Sequence, residues 1–551
     1  MSMGKERGVR IAALAALAVM VMVPLLQGAI WYGHDWEAHL LRMTSLNQAL
    51  AHGQFPPLFD YWNANQYGYS WQMFYPPLSS LLFLLARALT FGLASDMVQM
   101  KLVFAFILGI GFISAWFAGR REHGSAAMGG LCALLFLSSV YFLNNIFIRF
   151  AVGECLAMAV MPLFIRGCSS LVGDRRDIRL IPIAATLILL SNIPSVIACV
   201  IFFLLFAALN VRAMFTFANL RFMVRAVLII LALTCLYWGP LLYHMRHSDL
   251  YAFKGMLFSY HYMDRYKSDL LQTLLGLPSQ YGLTQAGTYS SPGLPLLLLS
   301  LLGLCLPIGR RGKTLLATGL LLVLLSTNLV DWNWLPLKTP LFNLMQFPWR
   351  LLTCACALLA LYAAVPLQRL LAWRPAVGGL ALAALLAAAW LPVQSALNNP
   401  LAAFHTLRLY PDYLNNSTMQ GDTFRQLSAQ MLPPISRENV LQTPNGYING
   451  YPSFHVSVPA PTLYTLPYVR YAGYYLMVDG QKVAPRALDD GFIGVRLTPG
   501  EHTVTLGYHI YIVVGPALVS LSTLLMLLVL WLRKRRWRLW LMARPQGRLP
   551  G

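Results

Sequence analysis

Mostly apolar stretches recur along the whole chain, some near the ~20 residues a helix needs to cross a bilayer and several shorter. They fall at residues 11–30, 77–93, 102–119, 126–143, 155–171, 180–190, 195–209, 227–243, 294–306, 315–325, 351–365, 377–397 and 510–532. This pattern constrains the fold more than any other feature. Hydrophobic residues make up 58% of the 551 and charged residues only 11%, against about 25% charged in a soluble domain. That balance excludes a soluble globular enzyme, and its apolar content excludes disorder. The first stretch follows Lys5, Arg7 and Arg10. It is long for a signal-peptide core and no small-residue cleavage site follows it, so it reads as a retained helix.

The net charge of +21 is mostly a topology signal. Seven basic clusters stand out: Lys5/Arg7/Arg10, Arg120/Arg121, Arg175/Arg176/Arg179, Arg212/Arg221/Arg225, Arg310/Arg311/Lys313, Arg369/Arg374 and the tail from Arg533 to Arg548. All seven share one side if the stretch at 77–93 is re-entrant or lies along the surface. Basic residues collect on the cytoplasmic side, so about twelve crossings (eleven to thirteen) are expected, with both termini cytoplasmic. The clusters hold 23 of the 41 basic residues, and only Glu6, Glu122, Asp174 and Asp177 accompany them. The rest of the chain is nearly neutral. No basic surface interleaved with stacking or groove-reading groups is visible, so nucleic acid is excluded as a partner. The eight cysteines all lie in apolar stretches, with no disulfide framework and no zinc pattern.

The polar outer segments are then residues 31–76, 149–154, 244–291, 330–349 and 398–508. In the last, short alternating runs at 454–458, 462–466, 474–478, 492–497 and 503–506 are separated by turn formers such as Asp479-Gly480 and Pro499-Gly500. They predict an antiparallel β-sandwich ahead of the final helix. The chain divides into a transmembrane domain (1–397), an extracytoplasmic β-rich domain (398–508), and a last helix with a basic tail (509–551).

Ionisable residues at outer helix ends are the candidates for chemistry, because charge at membrane depth is costly and is kept for pairing or function. His34, Asp35, Glu37, His39 and Arg42 crowd one short stretch. In a helix, Asp35, His39 and Arg42 share a face; the same pattern also suits an interfacial amphipathic helix. Arg149 and Glu154 open a helix in an apolar run and are spaced to pair with each other. Asn192 with Pro194 breaks another run. Gln346-Phe-Pro-Trp-Arg350 opens a further helix, where Arg350 either snorkels or grips a phosphate with its planar fork. The third outer segment carries His244, His247, Asp249, His261, Asp264, Arg265 and Lys267, whose spacing matches no strong metal signature.

Taken in order, His34-Asp35-Trp-Glu-Ala-His39-Leu-Leu-Arg42, Gly53-Gln-Phe-Pro56, Tyr75-Pro-Pro77, Arg149-Phe-Ala-Val-Gly-Glu154, Gln346-Phe-Pro-Trp-Arg350, Val478-Asp-Gly480 and 492–502 span nearly the whole chain. This set resembles the bacterial YfhO-like and "6-pyruvoyl-tetrahydropterin synthase-related" membrane proteins, which are similar to the GT-C superfamily of integral membrane glycosyltransferases. The resemblance implies a GT-C-like bundle that moves a sugar from a polyprenyl-phosphate-linked donor to a glycan, lipid or protein acceptor of the envelope. The transfer would occur on the outer face of the bacterial cytoplasmic (inner) membrane. By position, Asp35 takes the place of the acidic catalytic residue of the first outer loop, with Glu37 in reserve and Glu154 as the second-loop acid. His34, His39, Arg42, Arg149, Asn192, Gln346 and Arg350 are the expected substrate-binding residues. The chain lacks the DxD pair of the second loop, which leaves a divalent ion, Mg2+ or Mn2+, as an option rather than a requirement. Two other classes fit the same size and helix pattern: a transporter or flippase of lipid-linked saccharides, and a non-catalytic envelope-assembly protein.

Overall fold

The computed structural model describes residues 3–63, 66–252, 263, 266–279, 287–332, 334, 340–401, 413–419 and 438–543. Of the residues singled out above, His261, Asp264, Arg265, Arg544 and Arg548 lie outside them. The helices of the first half are α1 (Met3–Leu26), α2 (Trp36–Ala51), α3 (Trp71–Phe74), α4 (Leu78–Leu89), α5 (Asp96–His123), α6 (Ala126–Leu137), α7 (Val140–Phe147), α8 (Val152–Leu171), α9 (Leu180–Leu189), α10 (Ile193–Leu209), α11 (Val211–Met214), α12 (Phe217–Leu233) and α13 (Cys235–His247). Helices Leu294–Cys305, Gly309–Leu325, Leu352–Trp373 and Pro375–Asn398 follow, and Tyr511–Ala543 comes after the β-strands.

The protein is an integral membrane protein by the length and composition of these helices. Among the described residues, six are long and apolar enough to cross a bilayer. The number rises to eight if α6 with α7 (bent by 53°) and α12 with α13 (bent by 72°) each count as one broken span. This is fewer than the twelve expected. The apolar runs are continuous in sequence but not in helix: α4, α9, α10 and Leu294–Cys305 stop at 10–17 residues. At 1.5 Å per residue, a 12-residue helix is only about 18 Å long, short of the ~30 Å hydrocarbon layer. Caps explain some of the breaks. The Asn192 side chain accepts from the Ser195 N–H (3.0 Å) and so starts α10 afresh.

Hydrogen bonds tie several of the basic clusters to polar residues beside others. Arg10 donates to Gln368 (2.7 Å), Arg175 bonds Asn219, and Arg311 donates to Glu122 (2.9 Å). An ion network sits among them. Arg166, buried in α8, reaches Glu122 (2.7 Å), Asp174 (2.9 Å) and Asp177 (2.7 Å), while Arg121 also holds Asp177 (2.8 Å). Arg166 therefore belongs with the basic clusters and their acids, although the sequence count left it with the remainder.

The β-region forms two antiparallel sheets. β1 (Ile30–Trp31) pairs with β2 (Pro400–Leu401) beside the bundle. The remaining strands are β3 (Gly446–Ile448), β4 (Tyr451–Val458), β5 (Thr462–Leu466), β6 (Tyr474–Val478), β7 (Gln481–Val483), β8 (Arg486–Ala487), β9 (Ile493–Leu497) and β10 (Gly500–Tyr508). One sheet has the order β3-β4-β10-β6-β7 and the other β5-β9-β8. Their inward residues, among them Phe454, Leu476, Val504 and Leu506 from one sheet and Leu466, Ile493, Val495 and Leu497 from the other, share one buried cluster. That is the layered packing of a sandwich.

The same cluster contains Leu58, Phe59, Tyr61, Tyr67, Tyr69, Trp71, Met73 and Phe74 of the first outer segment. Gln54, fully buried, clips the two together. Its amide oxygen accepts from the Leu58 and Phe59 N–H groups (2.6 and 2.8 Å), and its NH2 donates to the Gly450 carbonyl (3.1 Å). The sandwich is thus built on the segment that follows α2.

Candidate active site

The first and second outer segments lock together through their backbones. The N–H groups of His34 and Asp35 donate to the carbonyls of Ile148 (3.0 Å) and Arg149 (2.9 Å). The approach requires Gly33, where a Cβ would come within 2.7 Å of the Phe150 Cβ and 2.9 Å of the Ile148 oxygen. Phe150 itself has φ +58°, a conformation that costs a bulky residue energy and collects at functional sites. Gln346, at the start of the fourth-segment motif, shares that feature with φ +64°.

Glu154, at the first turn of α8, is fully buried between two arginines. Its Oε2 accepts from Arg149 Nη1 (2.8 Å) and Arg350 Nε (3.2 Å). Its Oε1 accepts from the Tyr141 hydroxyl, with the Asn145 amide and Thr353 hydroxyl at 3.4 Å. Arg149 also donates to the Asn145 side chain (2.6 Å). Arg350 donates to the Gln346 side chain (2.6 Å) and to the Met345 carbonyl (3.0 Å). The expected pairing of Arg149 with Glu154 is present, and Arg350 joins it from almost 200 residues away. Burying such a group is tolerable only because charge and hydrogen bonds are both answered.

Asp35 stands beside this cluster and is not consumed by it. It occupies the N-cap of α2 but makes no side-chain cap bond. Among the described residues no side chain bonds or ion-pairs with its carboxylate. The charges that act on it are Arg149, Arg350 and Glu154. Burial pushes its carboxyl above the ordinary range, outweighing the pull of the two arginines. Burial, reinforced by Arg149, takes the His34 imidazole down to about 4. Burial with Arg42 and Arg149 takes His39 well below its usual value. Both rings are therefore neutral near pH 7. Each can serve as a hydrogen-bonding group there, not as a cation.

His39 and Arg42 do share a face of α2, as their spacing requires, and touch each other (Nδ1 to Nη1, 3.2 Å). Arg42 is fully buried and has no carboxylate partner among the described residues. It donates to Ser79 (2.9 Å) and lies 3.5 Å over the Tyr75 ring. Burial brings its guanidinium down to about 10. Tyr75 links the parts: the His39 ring meets it edge-on at 5.7 Å, the Asn192 amide lies beside its hydroxyl, and Gly153 makes room for that hydroxyl, since a Cβ there would sit 2.4 Å from it. Asn192 itself spends its amide oxygen on the α10 cap. Glu37 lies in the first turn of α2, half-buried, and i, i+2 positions do not face each other on a helix.

The structure therefore gathers Asp35, Arg149, Glu154, Gln346 and Arg350 in one place, with His34 attached through the backbone and His39, Arg42 and Asn192 joined through Tyr75. Tyr75, Tyr141 and Asn145 were not read as site residues. Tyrosines at membrane interfaces are common, which hid two of them. Of the third-segment histidines within the described residues, His244 is held by Tyr508 (2.9 Å) and Ser248 (3.0 Å) and His247 by the Tyr243 carbonyl (2.8 Å), and neither joins the site. Among the described residues no group of three or more His, Cys, Asp or Glu side chains is placed to hold a metal ion. Glu154 is neutralised by the two arginines, which leaves Asp35 as the unengaged carboxylate of the site.

No protein-family model matches the chain, and no curated protein matches it. Among solved structures it is similar to the cryo-EM structure of the arabinofuranosyltransferase AftD from Mycobacteria. The TM-score is 0.40 at 17% identity, over 71% of this chain and 27% of that one. This chain thus spans little more than a quarter of that protein's length, and a likeness so loose carries no argument about activity.

Proposed function

We propose that the protein is a GT-C-type membrane glycosyltransferase in which Asp35 is the general base. The observation that carries this reading is an unengaged carboxylate held beside two arginines that a third group has already fixed. An acceptor hydroxyl must lose its proton as its oxygen bonds to the anomeric carbon. Asp35, with its raised affinity for a proton, takes it, a contribution on the order of 10²–10⁴-fold in rate. The bond from the anomeric carbon to the phosphate oxygen breaks, and the phosphate leaves with the electron pair. Arg149 and Arg350, preset by Glu154, face that growing negative charge at no cost of reorganisation. Glu154 then positions the arginines and does not accept the proton. Gln346 aligns Arg350, and the neutral His34 and His39 offer hydrogen bonds to sugar hydroxyls. No step needs a metal.

The resemblance to the YfhO-like proteins supplies the substrate classes: a polyprenyl-phosphate-linked sugar as donor and an envelope glycan, lipid or protein as acceptor. With the short apolar helices counted as parts of crossings, about twelve crossings place both termini in the cytoplasm and the β-rich domain (398–508) outside. The test is incubation of the purified protein in lipid with a radiolabelled polyprenyl-phosphate sugar and candidate acceptors. Label passing to an acceptor supports transfer, whereas label that only crosses the bilayer unchanged would make the protein a transporter.

A further inference from the structure

We propose that Arg42 is the counter-ion of an acidic group on the acceptor, so that the sugar passes to an anionic glycan or lipid carrying a carboxylate or a phosphate. The inference rests on the glycosyltransferase reading of the Asp35 site and names the acceptor class which that reading leaves open.

Among the described residues four arginines are buried: Arg42, Arg149, Arg166 and Arg350. Three of them hold carboxylates. Arg149 and Arg350 share Glu154, and Arg166 reaches Glu122, Asp174 and Asp177. Arg42, the most deeply buried of the four at 0% exposure, holds none among the described residues. Its donors go to neutral groups or to nothing. Nη2 donates to the Ser79 hydroxyl (2.9 Å) and Nη1 meets His39 Nδ1 (3.2 Å). A guanidinium only donates, so His39 Nδ1 accepts and its ring stays uncharged. Nε is buried with no hydrogen-bond partner.

The rest of the surround is aromatic. The guanidinium lies 3.5 Å over the Tyr75 ring and 5.7 Å from the Phe83 ring centre. Tyr237 also acts on it, and spends its hydroxyl on the Phe74 carbonyl (3.1 Å). Asp60, a buried carboxylate of the same outer segment, is taken up by the Ser45 hydroxyl and by the Trp62 and Asn63 N–H groups (3.0 and 2.8 Å). A ring face steadies a cation but does not replace a counter-charge, and buried charges are kept where they are paired. With its value lowered only to about 10, the guanidinium stays charged at pH 7.

The fold thus holds half of an ion pair, and its place points to the substrate that supplies the other half. Arg42 lies seven residues after Asp35, about 10 Å along α2. The charges that act on His39 are Arg42 first and Arg149 second, so His39 links the unpaired arginine to the Glu154 cluster. In that cluster Arg149 and Arg350 meet the leaving phosphate of the donor. An anion at Arg42 is therefore a second one, and it belongs to the molecule whose hydroxyl Asp35 deprotonates. The planar fork of Arg suits two oxygens of a carboxylate or of a phosphate alike.

The test uses the full chain in phosphatidylcholine nanodiscs, as the parent, Arg42→Gln and Arg42→Lys. Thermal midpoints are measured in chloride, inorganic phosphate and glucuronate at matched ionic strength. An anion that binds the folded protein raises its midpoint. The proposal expects the parent to gain in glucuronate or phosphate over chloride and Arg42→Gln to gain less. Arg42→Lys should fall between them, because it keeps the charge without the fork. A larger gain in glucuronate marks a uronic acid, and a larger gain in phosphate marks a phosphorylated sugar or lipid. Any gain that survives in Arg42→Gln belongs to Arg149 and Arg350. Equal gains in the parent and Arg42→Gln, or no gain in either salt, would overturn the proposal. This readout needs no transfer, so it fails separately from the glycosyltransferase reading. In a transfer assay, Arg42→Gln should lose about tenfold or more in kcat/KM for an anionic acceptor and less for a matched neutral one. An equal loss with both, or transfer by the parent to both at equal kcat/KM, would overturn the acceptor assignment and leave the transferase intact.

Discussion

The backbone N–H of Asp35 donates to the carbonyl of Arg149 over 2.9 Å. The carboxylate proposed to take a proton and the guanidinium proposed to face the leaving phosphate are thus fixed by main chain to main chain. Neither side chain is spent on the other. This leaves the Asp35 carboxylate without a side-chain partner among the described residues, and its raised proton affinity has a thermodynamic signature that does not require knowing the sugar.

Asp35→Asn is expected to melt at a higher temperature than the parent at pH 7. A carboxyl whose value is raised in the folded protein destabilises the fold when ionised. That penalty is absent below the unfolded value of about 3.9 and grows as pH rises through the higher folded value. The gap between variant and parent should therefore narrow as pH is lowered toward 4. A thermal-shift series in lipid that shows the variant less stable at pH 7 would contradict the raised value. Functional groups held at a cost in stability are a familiar trade.

Glu154→Gln should be among the most damaging single changes in the bundle. It leaves Arg149 and Arg350 buried with their counter-charge removed, a loss of about 3–5 kcal/mol. Glu154→Gln combined with Arg149→Gln should cost less than the sum of the two single changes, because the pair is coupled. Comparing the thermal midpoints of the four proteins gives the coupling, and simple additivity would mean that the carboxylate does not hold the arginines.

His34 and His39 should make the parent acid-sensitive. Their folded values lie below the unfolded value of about 6.5, so the fold is fully stable with respect to them above that pH. Stability is lost as pH falls from 6.5 through the folded values, about 4 in the case of His34. Asp35 acts in the opposite sense, so the contribution is cleanest in the Asp35→Asn background. There, His34→Asn with His39→Asn should flatten the fall in melting temperature between pH 6.5 and 4. An unchanged slope would show that the rings are not buried as neutral groups.

Gln54→Ala should loosen the sandwich from the first outer segment. Two buried N–H groups and one carbonyl lose their partner, at about 1–3 kcal/mol for each buried group left unsatisfied. Limited proteolysis of the variant should cut within residues 446–508 faster than in the parent, while the bundle helices stay protected. Equal cutting rates would mean that the aromatic contacts alone hold the sandwich.

What the sequence could show followed period and composition. The alternating runs at 454–458, 462–466, 474–478, 492–497 and 503–506 all became strands within a few residues of their reading. β3, β7 and β8 did not stand out, because strands of two or three residues, mostly exposed in β7 and β8, leave no hydrophobic alternation to see. The number of crossings was read from apolar runs alone, and several of those runs, such as 180–190 and 294–306, form helices of only 10–12 residues. The convergence of Asp35 with Arg149 and Arg350 was legible only as three ionisable groups at outer helix ends. The contact between Glu154 and Arg350 is a matter of tertiary packing that no local pattern carries. Arg166 could have been found, because a lone arginine in an apolar helix demands a partner and Asp174 and Asp177 stand close in sequence.

The central claim is that Asp35 takes the acceptor proton in a sugar transfer. The most direct measurement is the transfer rate of Asp35→Asn and Asp35→Glu against the parent, each purified in lipid and supplied with a radiolabelled polyprenyl-phosphate sugar and the acceptor the parent uses. The account predicts that Asp35→Asn loses at least about 10²-fold, the lower bound for removing a general base, that Asp35→Glu keeps part of the activity, and that both insert and melt as folded proteins. Transfer by Asp35→Asn at the parent's rate would contradict it.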